Sequence, residues 1–205
     1  MATAASSDCL RSSSLSEAEV NILYRSLQLS VDYIWHRISL EVDQSQLASL
    51  QQYFPVSTQP SSLGQISLSL LNFGASHIEG ILLSKDIVQR LHLTPSTVHS
   101  TFKHCAEVIF DGEINWFNII GLFAFSGIFA NHFVKNYKSE MALLKTLPYL
   151  VPDFFGDHRS ILTWIIENGG WDGFLYASSN KFGVTTMLLK LAQFPWIYRG
   201  SARYI

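Results

Sequence analysis

Seven histidines (His36, His77, His92, His99, His104, His132 and His158) and two cysteines (Cys9 and Cys105) are the side chains best suited to metal ligation or nucleophilic attack. Their spacing supports neither role. His99 and His104 are five apart, which does not place them on one helix face, and the other histidines are scattered. Cys9 lies in a Ser-rich leader and Cys105 in an apolar periodic segment, so a disulfide framework is not indicated and a reducing compartment fits. No His-Glu-x-x-His, Gly-x-Ser-x-Gly, phosphate-loop or dinucleotide-binding pattern occurs. The chemistry-bearing residues therefore point away from an enzyme, a metal site or a bound cofactor, and toward a protein that acts through its surfaces.

The composition agrees. The 205 residues are 48% hydrophobic and only 15% charged, enough for one large core. Lys plus Arg number 14 against 16 Asp plus Glu, so no basic surface dominates and nucleic acid is not the expected partner. A mean hydropathy of +0.18 leaves contact with a membrane or an apolar partner open. Residues 1–15 are small and hydroxylated, without the basic and apolar regions of a secretory signal, and no Asn-x-Ser/Thr acceptor occurs. Both features favour a cytosolic face.

The elements that must position any surface read as helices throughout, with no alternating strand pair. Ser16-Glu17-Ala18-Glu19 is a capping box, and Val20, Leu23, Tyr24, Leu27, Val31, Ile34 and Ile38 follow at helical steps. Residues 39–62, with Pro55 and Pro60, read as a flexible linker inside a domain over 16–178 that follows a disordered leader over 1–15. A second run carries Ile66, Leu70, Phe73, Ile78, Leu82 and Leu83. Thr94-Pro95 predicts a helix start, with Val98, Phe102, Cys105 and Ile109 as its buried stripe.

Ile114 to Val134 is a run of 21 residues without a formal charge. As helix it spans roughly 32 Å, long enough to cross a bilayer. Asn115, Asn118, Ser126, Asn131 and His132 interrupt it, which favours a central helix hydrophobic all round and covered by its neighbours. Asn115 reads as its N-cap. Helical runs at Met141–Leu150 and Asp153–Glu167 follow; Gly169-Gly170 closes the latter and Trp171–Tyr176 begins a short further helix. Residues 179–205 include 16 apolar-rich residues, Gly183 to Tyr198, broken by Lys190 and Pro195, which predicts at most a weak tail anchor.

Two segments carry more than a helical period. Phe110-Asp111-Gly112-Glu113-Ile114-Asn115-Trp116-Phe117-Asn118, running on through Gly121 to Phe125, resembles the first homology motif of the Bcl-2 family of apoptosis regulators. Trp164-Ile165-Ile166-Glu167-Asn168-Gly169-Gly170-Trp171-Asp172 resembles the second, in the same order and at the expected distance. Ile66, Leu70, Phe73, Gly74 and Ala75 are similar to the third motif, an apolar helix ridge of the kind read by a partner groove. The resemblance implies an all-α bundle of the Bcl-2 type around a central hydrophobic helix. It also implies partners among other family proteins, among further copies of the chain on activation, and at the mitochondrial outer membrane.

Within the family the chain is most similar to the Bak-like, pro-apoptotic branch that permeabilises this membrane. A survival-type member that sequesters relatives in its groove, and a scaffold whose groove function is lost, are the alternatives. The departures from the pattern are specific. The family's Gly-Arg after Asn-Trp is here Phe117-Asn118, and the Asp after the third-motif glycine is Ala75. Both halves of an ion pair that the resemblance implies are thus missing, which leaves no orphan charge but predicts weak binding of Asp-bearing ligand helices.

Overall fold

A computed structural model describes residues 14–54, 64, 66, 69–70, 94–110, 113–137 and 143–179. Seven α-helices are delimited there: α1 Glu17–Ser39, α2 Gln44–Leu50, α3 Val98–Ile109, α4 Trp116–Asn136, α5 Leu150–Asp157, α6 Arg159–Glu167 and α7 Gly170–Ser179. No strand occurs among the described residues. The expected all-α bundle is what forms.

Helix α4 is the axis. It is apolar enough to cross a membrane by length and composition, yet 89% of its most apolar window lies inside the protein. Such a helix is stable in water only when covered, and α1, α3 and α5 supply the cover. Asn115 caps it as expected, its Oδ1 accepting from the Asn118 N–H at 2.9 Å. Helix α1 starts at the expected capping box, with Ser16 Oγ accepting from the Glu19 N–H at 3.2 Å and the Glu19 carboxylate accepting from the Ser16 N–H at 2.7 Å.

The buried face of α1 differs from the expected stripe. Val20 and Tyr24 are 52% and 60% exposed, while Ile22, Ser26, Leu29, Ser30 and Tyr33 face inward with Ile34 and Ile38. On this face α1 approaches α4 closely at one point, where the small residue is on α4 and the large one on α1. A Cβ on Gly127 would stand 2.8 Å from the Tyr33 ring. The buried Ser26 hydroxyl is satisfied within its own helix, donating to Ile22 O at 2.7 Å.

The linker expected over 39–62 is partly helical. Asp43 caps α2 through its carboxylate, a 3-10 turn Gln51–Tyr53 follows, and Leu50 and Phe54 are 5% exposed. One buried residue in a seven-residue helix is too little to make a period, so the sequence shows none. Thr94-Pro95 opens a turn rather than a helix; the hydroxyls of Thr94 and Thr97 share a 2.9 Å hydrogen bond, and α3 begins at Val98. Its stripe is Val98, Phe102, Ala106 and Ile109, with Cys105 only half-buried.

The run expected as one helix from Asp153 to Glu167 begins at Leu150 and breaks at His158, whose extended backbone (φ −120°, ψ 74°) separates α5 from α6. Around Met141–Leu150 the described residues form a 3-10 turn, Leu147–Tyr149, where Pro148 disfavours an α-helical interior. Gly169 and Gly170, at φ 84° and 62°, make the left-handed turn the sequence requires. The leader, most of the linker's second half and the proposed C-terminal anchor lie outside the described residues.

Candidate functional site

The first two motifs meet at one end of α4. Trp116, in its first turn, stands 5.2 Å from Trp164 on α6, 5.8 Å from Trp171 and 5.6 Å from Phe174 on α7. Two turns further in, Phe123 packs edge-on to Trp171 at 5.6 Å. Trp171 is fully buried, whereas Trp116 and Trp164 are half-buried and show ring surface outward. Ring pairs at these separations add about 0.5–1.5 kcal/mol each beyond their buried area. The two motifs are therefore one aromatic cluster, and the turn at Gly169 and Gly170 is what swings Trp171 back onto Trp116.

Phe125 lies on another side of α4 and stacks on Phe102 of α3 at 5.9 Å, with Phe129 4.5 Å away. Gly121 faces Ile109 of α3, where an added Cβ would make only ordinary contact at 3.9 Å. Lys103 of α3 donates to the Asp157 carboxylate of α5 at 2.8 Å. Asp172 is exposed and takes an ion pair from Arg25 of α1 at 3.4 Å.

Phe117 and Asn118 are not offered to solvent. Phe117 is 5% exposed and belongs to the core, and Asn118, 2% exposed, donates its Nδ2 to Glu113 O at 2.6 Å. The amide at the departed arginine's position thus ties the α3–α4 connection to the first turn of α4. Phe117 acts as core rather than as a ring narrowing an open groove. Of the third-motif ridge, Ile66 and Leu70 are helical and buried at 3% and 0%; Phe73, Gly74 and Ala75 lie outside the described residues.

Three positions had no sequence signal strong enough to single them out. Gly173, in the first turn of α7, lies so close to Asn168 that a Cβ there would collide with the Asn168 carbonyl oxygen. Gly127 seats Tyr33 and Arg37 of α1. Arg25 reaches Asp172 across 147 residues of sequence, a separation no local pattern reveals.

Reactive chemistry is absent from this cluster. Among the described residues no three His, Cys, Asp or Glu side chains gather as metal ligands. Burial pushes the Cys105 thiol up to about 12, far from a nucleophilic thiolate. What the site offers is half-buried aromatic surface on a rigid helical frame, which suits recognition of another chain.

Comparison with known proteins agrees with this geometry. Residues 81–171 match the sequence model of the Bcl-2 family, described as apoptosis regulator proteins. The human Bcl-2-like protein 1 is 31% identical over 97 residues, 47% of this chain and 40% of that protein. The chicken apoptosis regulator Bcl-2 is 31% identical over 109 residues, 53% of this chain and 42% of that one. The aligned regions thus span well under half the length of these relatives.

Among solved structures, Trichoplax adhaerens trBcl-2L2 bound to trBak BH3 superposes with a TM-score of 0.56 at 26% identity, covering 75% of this chain and 96% of that one. The zebrafish pro-survival protein NRZ, in complex with Bad BH3, shares the fold with a TM-score of 0.57 at 17% identity, covering 78% and 95%. The bundle around a buried apolar helix thus belongs to a chain that is similar, in residues 81–171 and in fold, to the Bcl-2 family of apoptosis regulators.

Proposed function

We propose that the protein regulates apoptosis by holding third-motif helices of other family members in a groove bordered by α3 and the start of α4. The observation that carries this reading is the likeness to trBcl-2L2, a chain of the same fold solved with a BH3 helix bound. Helix-in-groove recognition needs an apolar cleft on a rigid frame, and the packed Phe102–Phe125–Phe129 wall supplies the frame. The kind of relative that matches, Bcl-2 and Bcl-2-like protein 1, favours a survival-type regulator that sequesters its partners.

A Bak-like effector is the second reading, favoured by one feature: α4 is long and apolar enough to enter a bilayer once uncovered. In that reading the chain pairs with further copies of itself and permeabilises the mitochondrial outer membrane from its cytosolic face. Fluorescence anisotropy with labelled Bad and Bak BH3 peptides tests the groove, and absence of saturable binding by folded protein refutes it. Isolated mitochondria then give the sign. A survival-type protein blocks cytochrome c release provoked by such peptides, whereas a Bak-like one causes release.

A further inference from the structure

Away from the aromatic cluster, the C-terminal ends of α1 and α4 and the short α2 enclose a cleft of about 400 Å3. Val42, Leu50 and Val134 form its apolar walls, Leu50 and Val134 being 5% and 8% exposed, and Gln46 and Ser49 of α2 give it polar edges. Among the described residues its lining holds one anion and one cation, Glu41 and Lys135. Lys135 Nζ donates to Glu41 Oε2 at 2.6 Å, and the two side chains are 55% and 34% exposed. A pair this exposed contributes little to stability and opens at small cost.

Charge complementarity narrows the occupant. A purely anionic ligand engages Lys135 but is repelled by Glu41, a purely cationic one meets the reverse, and a neutral apolar one gains nothing from either charge. A zwitterion with its charges a few ångströms apart engages both, each of its ends replacing the partner that Glu41 or Lys135 gives up. An apolar body beside those charges fits the Val42, Leu50 and Val134 walls. The source follows from position: Lys135 is the first charge after the uncharged run of α4, the described helix whose length and composition would suit a bilayer. A charged head next to apolar chains is the matching chemistry.

We propose that this cleft binds the head of a zwitterionic phospholipid, with its phosphate on Lys135, its quaternary ammonium on Glu41 and the first carbons of its chains against the apolar walls. Bound there, the lipid bridges α1, α2 and the end of α4.

The test is a titration of full-length, isotope-labelled protein, followed by amide NMR. Dihexanoylphosphatidylcholine is added below its micelle concentration, with glycerophosphocholine, dihexanoylphosphatidylglycerol and free leucine as separate arms. Saturable shifts at Val42, Gln46, Ser49 and Lys135 are expected with the phosphatidylcholine, and weaker binding in every other arm. Glu41→Gln and Lys135→Gln should each weaken binding at least about fivefold. The exchanged pair, Glu41→Lys with Lys135→Glu, keeps the ion pair and should recover binding with the headgroup reversed. Equal affinity for leucine would make this a site for free zwitterions and overturn the lipid assignment. Equal affinity for glycerophosphocholine or the anionic lipid, or shifts indifferent to both Gln variants, would overturn it as well.

Discussion

Replacing Gly127 by alanine tests how tightly α1 is seated on α4. The added Cβ would lie 2.8 Å from Tyr33 Cε1 and 3.1 Å from both Tyr33 Cδ1 and Arg37 Cγ. The Arg37 methylene can yield, but Tyr33 is fully buried and its ring has no space to swing into. Overpacking of this kind costs about 1–3 kcal/mol, and a rigid ring as the nearest neighbour puts the cost in the upper part of that range. Against it, alanine is favoured over glycine in a helix interior by about 1 kcal/mol.

The expected net loss is therefore about 1–2 kcal/mol, or about 2–8 °C in Tm for a chain of this size. Urea unfolding followed by circular dichroism measures it, with an unchanged m-value showing that the native state stays compact. A double-mutant cycle with Tyr33→Leu should give about 2–3 kcal/mol of coupling, the overpacking contribution alone, since removing the ring removes the collision. Because the two contributions oppose each other, the sign is decisive. A rise in midpoint on Gly127→Ala would show that helix propensity wins, that Tyr33 moves freely, and that glycine does not set this crossing.

Ser16→Ala should lower stability by about 1 kcal/mol through loss of the capping box, read as a shift in urea midpoint. Its pH dependence is a separate check. Hydrogen bonds from the Ser16 backbone and hydroxyl hold the Glu19 carboxyl below its ordinary value. That contribution is present above about pH 4.5, is lost as pH falls through the lowered value, and should be smaller in Ser16→Ala. Phe117→Gly with Asn118→Arg, which would rebuild the family's Gly-Arg pair, should destabilise the fold by about 3–5 kcal/mol, because it empties a core position and buries a guanidinium. A thermal melt at or above that of the unaltered protein would instead place both side chains at the surface. In a Cys9→Ser background, Cys105 should react with a thiol reagent at pH 8 more slowly in the folded than in the unfolded protein. Its thiol is pushed up to about 12 by burial, so a rate matching unfolded protein would contradict that burial.

Much of this fold could be read before any coordinates. The capping box, the Asn115 cap, the uncharged central run and the Gly-Gly turn are local devices, each fixed by a few neighbouring residues, and each stands where the spacing predicts. The face of α1 could not be read this way, because Ser26 and Ser30 are buried although their type suggests exposure, and Tyr33 is seated on Gly127 nearly a hundred residues on. Helix α2 hides for another reason: it buries only Leu50, and a single buried residue has no period. At the candidate site the aromatic residues were legible as core. The pairing of Trp116 with Trp164 and Trp171, and of Arg25 with Asp172, needed the third dimension. Asn118, singled out because it stands where the family's motif has Arg, closes a local hydrogen bond to Glu113 O that the motif comparison does not reveal.

The covering of α4 has a consequence for how the protein is made. While the chain leaves the ribosome, Ile114–Val134 emerges as a 21-residue stretch without a charge, and the aromatic residues that close one end of it, Trp164, Trp171 and Phe174, come later still. At about 5–20 residues per second, roughly two to ten seconds pass before those residues are synthesised. During that interval the nascent segment has the length and apolarity that signal-recognition and insertion machinery select, with only α1, the segment after it and α3 available as cover. Docking of α1, already synthesised by then, onto the emerging α4 is the cover available first, and the close crossing at Gly127 is part of that contact.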